Sequence, residues 1–244
     1  MKFHDIIDAL ALRFRESTIA RILFRTIYHK ILSLRVKNRR KKFHRYSLDA
    51  LEAFNRCMEE NGFTYTLAFG TLLGAIRERN FISHDLDIDV SMWEEDYNPN
   101  IKSALSTYGF ELLYTYSVDG GHVGREETYI YKGVTLDIFY FYSDLQKMPY
   151  CCDFIQFPDT QSMSDSINKH GGLLPRKIYL PLSKERILIP FKHLKLYAPI
   201  NYEEVLKFRY GSDYMIPNKN WSPVDHNQHI IELKDKLGSL IKYK

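Results

Sequence analysis

FTYTLAFGTLLGAIRERNFISHDLDIDVSM, residues 63–92, reads as a strand, a short helix and a second strand in close succession. In FTYTLAF, 63–69, Phe63, Tyr65, Leu67 and Phe69 alternate with their neighbours, the period-2 pattern of a strand with one buried face. Gly70-Thr71 interrupts it, LLGAIRER suits a helix, and a loop leads to DIDVSM, 87–92, as the next strand. Side chains two apart on a strand share a face. Asp87 and Asp89 therefore point one way, and Ile88 and Val90 point the other, into the core.

Working outward, Asn98-Pro99 places a cap before Pro at the first helical position and opens a helix to Tyr108, stopped by Gly109. ELLYTY, 111–116, and TYIYKGVTLDIFYFY, 128–142, supply further strands, with Gly120-Gly121 and Lys132-Gly133 as turns. Upstream, Ser47 reads as the N-cap of a helix from Leu48 to Glu60, with Leu51, Phe54 and Met58 on one face and Gly62 as its end. Beyond Asp144 the periodicity fades into a Pro-punctuated stretch of loops and short elements around the site, with a helix near 202–209. The expected fold is α+β: a mixed sheet flanked by helices, with a basic amphipathic helix before it and a loop-rich C-terminal half after it.

The chain of 244 residues is long enough for one good core and a small appended lobe. Apolar residues make up 45%, which excludes disorder over most of the length. The net charge of +4 is unevenly spread. Residues 1–46 hold thirteen Lys/Arg against three acids, so the remaining 198 residues carry −6. A mildly acidic body argues against a nucleic-acid groove through the core. The expected division is a basic amphipathic arm, 1–46, and a catalytic domain, 47–244. In the arm, Ile6, Leu10, Ile19, Ile22, Leu23, Ile27, Ile31 and Leu34 recur at helical steps, and the pattern runs into KNRRKKFHR, 37–45. Two readings stand for that arm: a helix packed on the body with a solvated basic face, or a helix lying on anionic lipid. Cys57, Cys151 and Cys152 form neither a disulfide framework nor a zinc spacing. With no signal-peptide pattern and no membrane-spanning run, the expected location is cytoplasmic, peripheral to the inner face of the membrane if the arm binds lipid.

Two like charges ~4 Å apart repel by roughly 4 kcal/mol at an effective dielectric near 20. Paired carboxylates such as Asp87 and Asp89 are tolerated when a cation sits between them or one is protonated. Hard oxygen ligands favour Mg²⁺ or Mn²⁺ over zinc. A bare D-x-D pair reads equally as a solvated strand end, but two further features accompany it. Gly70-Thr71 lies between strand and helix, where backbone N–H groups suit a phosphate. Asp137 stands alone in the apolar strand VTLDIFYF, where a charge is costly unless it is metal-bound or paired with a buried Arg or Lys. Asp85 adds another acid two residues before Asp87.

Strand, Gly-Thr turn, helix, D-x-D strand and later strand Asp resemble the layout of the nucleotidyltransferase superfamily. More specifically, GTLLGAIRERNFISHDLDID, 70–89, closely resembles the signature of the LicD family of phosphocholine and fukutin-related ribitol-phosphate transferases. LDIF, 136–139, and YEEVLKFRYGSDYMIP, 202–217, extend the resemblance. It implies transfer of phosphocholine, ribitol phosphate or glycerol phosphate from a CDP-linked donor to a hydroxyl of a glycan or lipid-linked glycan, such as a lipopolysaccharide, capsule or teichoic acid precursor, with release of CMP. It further implies Asp87, Asp89 and Asp137 as metal ligands, Asp85 and Asp137 in the catalytic proton transfer, and Gly70, Thr71 and Arg77 on donor phosphate. Transfer of NMP from an NTP onto a hydroxyl is the alternative reading of the same acids. The chain departs from the signature at Ser83-His84, where Pro-Trp is usual, and at Leu86, where an acid is usual. His84 reads as a proton carrier, a phosphate donor group or a loop residue without a role. A choline head group would call for an aromatic cage, for which Trp93, Trp221, Tyr114 and Tyr116 are the available rings.

Overall fold

The computed structural model describes residues 18–144, 148–218 and 229–243. The side chains of Ile6, Leu10, Ile19, Ile22, Leu23 and Ile27, and the ring of Trp221, lie outside the described residues.

Helix α1, Thr18–Asn61, is continuous. Ser47 does not cap a new helix. It lies mid-helix and only 5% exposed. The reason is the segment before it: KNRRKKFHR contains no Gly or Pro, and Lys and Arg are strong helix formers, so nothing there breaks the helix. Residues 33–42 are exposed, and among the described side chains of α1 Phe43 is the first that is fully buried, followed by Ala50, Leu51, Phe54, Cys57 and Met58. Phe43 packs edge-to-face on Phe81, which in turn packs on Phe191.

Strand β1 is short, Thr66–Leu67, because Phe69 already opens α2, Phe69–Glu78. Phe69 adopts φ 40°, a left-handed conformation that is costly for a bulky residue. Edge-to-face packing of its ring on Phe139 helps to hold it there. Gly74 has a steric cause: a Cβ there would lie 2.4 Å from the Asn80 carbonyl, which folds back over the helix. Strand β2, Asp87–Trp93, follows as expected. Helix α3, Ile101–Thr107, begins two residues after Pro99, once Asn98 Oδ1 has accepted the Asn100 N–H at 2.9 Å. Strands β3, Glu111–Val118, β4, Gly124–Tyr131, and β5, Val134–Phe141, come next. Lys132 and Gly133 join β4 to β5 with φ 48° and 87°, the positive pair that a two-residue hairpin requires.

The main sheet has the order β1-β2-β5-β4-β3-β11, where β11 is Ser239–Lys242. Among the described residues, β2 and β5 are the pair that runs parallel, and the other neighbours in this sheet are antiparallel. Helix α1 packs over β2 and β5 and against α3, while α2 packs on β2. Ile88, Val90 and Met92 of β2 and Leu136, Ile138 and Tyr140 of β5 are all at most 2% exposed, in one core with Leu51, Phe54 and Leu67. Beyond Asp144 the short elements are β6, Tyr150–Ile155, α4, Met163–His170, β7, Leu174–Tyr179, β8, Arg186–Phe191, β9, Leu194–Pro199, α5, Tyr202–Tyr210, and β10, Ile230–Glu232. They form a second sheet, β10-β7-β6, and a β8-β9 hairpin. Among the described residues, no helix is long and apolar enough to cross a membrane.

Candidate active site

The parallel pairing of β2 and β5 sets Asp87 beside Thr135 and Asp89 beside Asp137. By alternation, Asp87 and Asp89 share the face that bears Thr135, Asp137 and Phe139. The antiparallel partner β4 adds Thr128 opposite Asp137 and Glu126 opposite Phe139. Three neighbouring strands thus present Asp87, Asp89, Asp137 and Glu126 on one surface.

The start of α2 closes one side of this surface. Ala68 N–H donates to the Asp89 carbonyl at 3.1 Å, and the Asp89 N–H donates to Thr71 Oγ1 at 2.9 Å. The Gly70 N–H donates to the Asp89 carboxyl. These bonds tie Gly70 and Thr71 to the backbone and carboxyl of Asp89. Thr71 is fully buried with its hydroxyl turned inward, and it fixes β2 against α2. Gly70 borders the surface, where Asp85 approaches so closely that a Cβ on Gly70 would lie 3.2 Å from Asp85 Oδ2.

The electrostatics follow from crowding. Burial, followed by the Asp87, Asp137 and Asp85 charges, pushes the Asp89 carboxyl well above its usual range. Burial lifts Asp137 to about 6, opposed by a hydrogen bond from Thr128 and by the Arg39 charge. Burial and Asp87 lift Asp85 to about 7. Burial also raises Glu126, with Asp137, Asp153 and Asp89 adding to it. Arg39 brings a cation directly to this cluster: its Nη2, on α1, donates to Asp87 Oδ2 at 3.2 Å and to Thr135 Oγ1 at 3.1 Å.

Among the described residues, no three His, Cys, Asp or Glu side chains converge into a ready-made metal cage. The donor chemistry nevertheless fits a hard divalent cation. All of the groups are carboxylates, their mutual repulsion disfavours the charged form, and Asp85 Oδ2 is buried without a hydrogen-bond partner.

Beside Asp85 lies a cavity of about 550 Å³, lined by Gly70, Arg77, His84, Asp85, Tyr210 and Tyr214 among others. Tyr210, Tyr214 and Pro217 belong to YEEVLKFRYGSDYMIP, so this distant segment forms the wall facing Asp85. Arg77 is not a solvent-facing helix residue. Its side chain is 9% exposed and pairs with Glu78 at 3.0 Å. His84 is exposed at the cavity edge, and His122 is exposed in the turn between β3 and β4. Of the rings considered for a cage, Trp93 packs on Phe141, while Tyr114 and Tyr116 lie side by side on β3 with Tyr116 stacked on Phe154.

Sequence reasoning passes over Glu126 and Arg39. Glu126 carries a signal in the adjacent acids of GREETYIY, since whichever face of that strand is buried must take one acid with it. Arg39 carries none, because the cations of KNRRKKFHR are alike until the helix is placed.

The family described as "LicD/FKTN/FKRP, nucleotidyltransferase domain" matches residues 62–201. The chain is 25% identical over 182 residues to "Ribitol-5-phosphate transferase FKTN" of Mus musculus, covering 73% of this chain and 35% of that protein. To the Homo sapiens protein of the same name it is 24% identical over 184 residues, with the same coverage. To "Lipopolysaccharide cholinephosphotransferase LicD" of Haemophilus influenzae it is 44% identical over 50 residues, covering 20% of this chain and 19% of the relative. The chain thus spans about a third of the length of the fukutin relatives it matches.

Proposed function

The chain belongs to the LicD/FKTN/FKRP nucleotidyltransferase family, and from that premise we propose that it transfers an alcohol phosphate from a CDP-activated donor to a hydroxyl of a glycan. The observation that carries this reading is the parallel register that sets Asp89 beside Asp137, with Asp87 on the same face. Asp87, Asp89 and Asp137 would hold Mg²⁺ or Mn²⁺. When bound, the cation supplies charge neutralisation at the diphosphate and polarises its oxygens.

The chain's own residues do the rest. An acceptor hydroxyl oxygen attacks the β-phosphorus, the bond from that phosphorus to the CMP oxygen breaks, and CMP leaves with the electron pair. Asp85 takes the hydroxyl proton on its carboxylate. Its pKa of about 7 leaves it part-ionised at neutral pH, which suits a general base. Asp137, on the neighbouring strand, is the second carboxylate for that role. Arg77, on the wall of the cavity, faces the donor phosphates, and Gly70 leaves the close approach that a side chain would block. The cavity beside Asp85 gives room for the transferred group.

The acceptor in this reading is a cell-surface glycan precursor, free or lipid-linked, and nucleic acid is not a partner. The exposed basic segment 33–42 would lie on an anionic membrane and bring the site to a lipid-linked acceptor. Incubation with Mg²⁺ and CDP-choline, CDP-ribitol or CDP-glycerol, scored for CMP release, tests the reaction. Release from one donor that is abolished in Asp89→Asn, with an unchanged circular dichroism spectrum, is the expected result. Pyrophosphate release from an NTP with no CMP release from any CDP donor would replace it with nucleotidyl transfer.

A further inference from the structure

Three cations of α1 recur at helical spacing: Arg35, Arg39 and Lys42. Lys42 lies across the β4–β5 turn, where a Cβ on Gly133 would come within 2.6 Å of its Cδ. Arg39, one turn earlier, reaches the first residues of β2 and β5. The helix therefore runs along the end of the sheet where both carboxylate strands begin. The Arg39 side chain is 45% exposed, so its guanidinium can move without unpacking the core.

A guanidinium bound to a carboxylate on a carboxylate-rich surface occupies the position that a divalent cation would contest. Its planar fork also matches phosphate oxygens as well as carboxylate oxygens. Resting on the CDP-donor reading above, we propose that Arg39 is a positioning residue that changes partner. In the free protein it holds Asp87 and Thr135, and when the metal-bound donor arrives it moves to the donor's diphosphate and leaves Asp87 to the cation. The basic run of α1 is then in part a wall of the site.

The proposal predicts two effects of opposite sign in Arg39→Met. Mn²⁺ alone, followed by electron paramagnetic resonance, binds about two- to fivefold more tightly, because an exposed competing ion pair has gone. CDP in the presence of Mn²⁺ binds about tenfold or more weakly, because a charge-assisted contact to phosphate has gone. Arg39→Lys keeps the point charge and restores the wild-type Mn²⁺ affinity, but restores CDP binding only in part. Mn²⁺ and CDP affinities that fall together in Arg39→Met mean a structural role and overturn the proposal, as does unchanged CDP binding. Wild-type protein that binds Mn²⁺ but not CDP would sink the CDP-donor reading itself, and with it the transfer of Arg39 to a diphosphate. Tighter Mn²⁺ binding by Arg39→Met would in that case still mark Arg39 as the competitor for Asp87.

Discussion

Replacing Asp137 by Asn is expected to stabilise the metal-free protein at neutral pH. Folding raises the Asp137 carboxyl from 3.8 to about 6. At 1.36 kcal/mol per unit, that is about 3 kcal/mol, and about 2 to 3 kcal/mol once its partial exposure is allowed for. The folded state holds this proton more tightly than the unfolded chain does. The associated stability is therefore fully present below about pH 4 and is lost as pH rises through about 6. Asn cannot ionise, and its side-chain oxygen still accepts the Thr128 hydroxyl. In EDTA at pH 7.5, thermal denaturation of Asp137→Asn should sit roughly 5 to 10 °C above wild type. The gap should shrink as pH falls through about 6 and close below about pH 3, where the wild-type carboxyl is protonated in both states. If Asp137 holds the cation as proposed, added Mg²⁺ should raise the wild-type midpoint and leave the variant almost unmoved. A variant less stable than wild type in EDTA at pH 7.5, or an equal advantage at both pH values, would refute the reasoning.

Other expectations concern α1. Phe43→Ala, which empties the edge-to-face stack on Phe81 and Phe191, should cost about 3 to 5 kcal/mol by urea denaturation. Reversing the charge of the exposed cations in a Lys37→Glu, Arg40→Glu, Lys41→Glu triple variant should release the protein from anionic vesicles in a flotation assay and leave its melting temperature unchanged. Deleting 1–46, which also removes Phe43, should lower that temperature. Equal vesicle binding by the triple variant and the wild type would remove the membrane role from segment 33–42.

The sequence makes the site more legible than the frame around it. Asp87, Asp89 and Asp137 could be put on strands because each lies in an apolar alternation that declares which face is buried. Their pairing partners could not, since nothing local says that β5 adds beside β2 in parallel before β4 and β3 follow. A hydroxyl before an apolar periodic run looks like a cap, so the sequence pattern divides the long helix at Ser47. The continuity of the backbone hydrogen bonds across it depends on the helix formers upstream. Beyond Asp144, Pro175, Pro190 and Pro199 looked like loop punctuation, yet each lies within a strand. Proline is compatible with strands where no ladder bond from its nitrogen is needed, and that is a property of the neighbours. Thr71 shows the same limit, because only the packing of β2 on α2 reveals that its hydroxyl accepts the Asp89 N–H.

The one-to-one pairing of Asp89 with Asp137 and of Ile88 with Leu136 also bears on how this chain avoids misassembly. A slip of β2 by a single residue would drive Asp87 and Asp89 into the hydrocarbon interior and turn Ile88, Val90 and Met92 out to water. Each ionised acid forced inside would cost several kcal/mol, so the error would be rejected before the rest of the sheet could consolidate around it. The carboxylates therefore act as proofreaders of strand alignment, and chains that complete the sheet are those whose acids already face together.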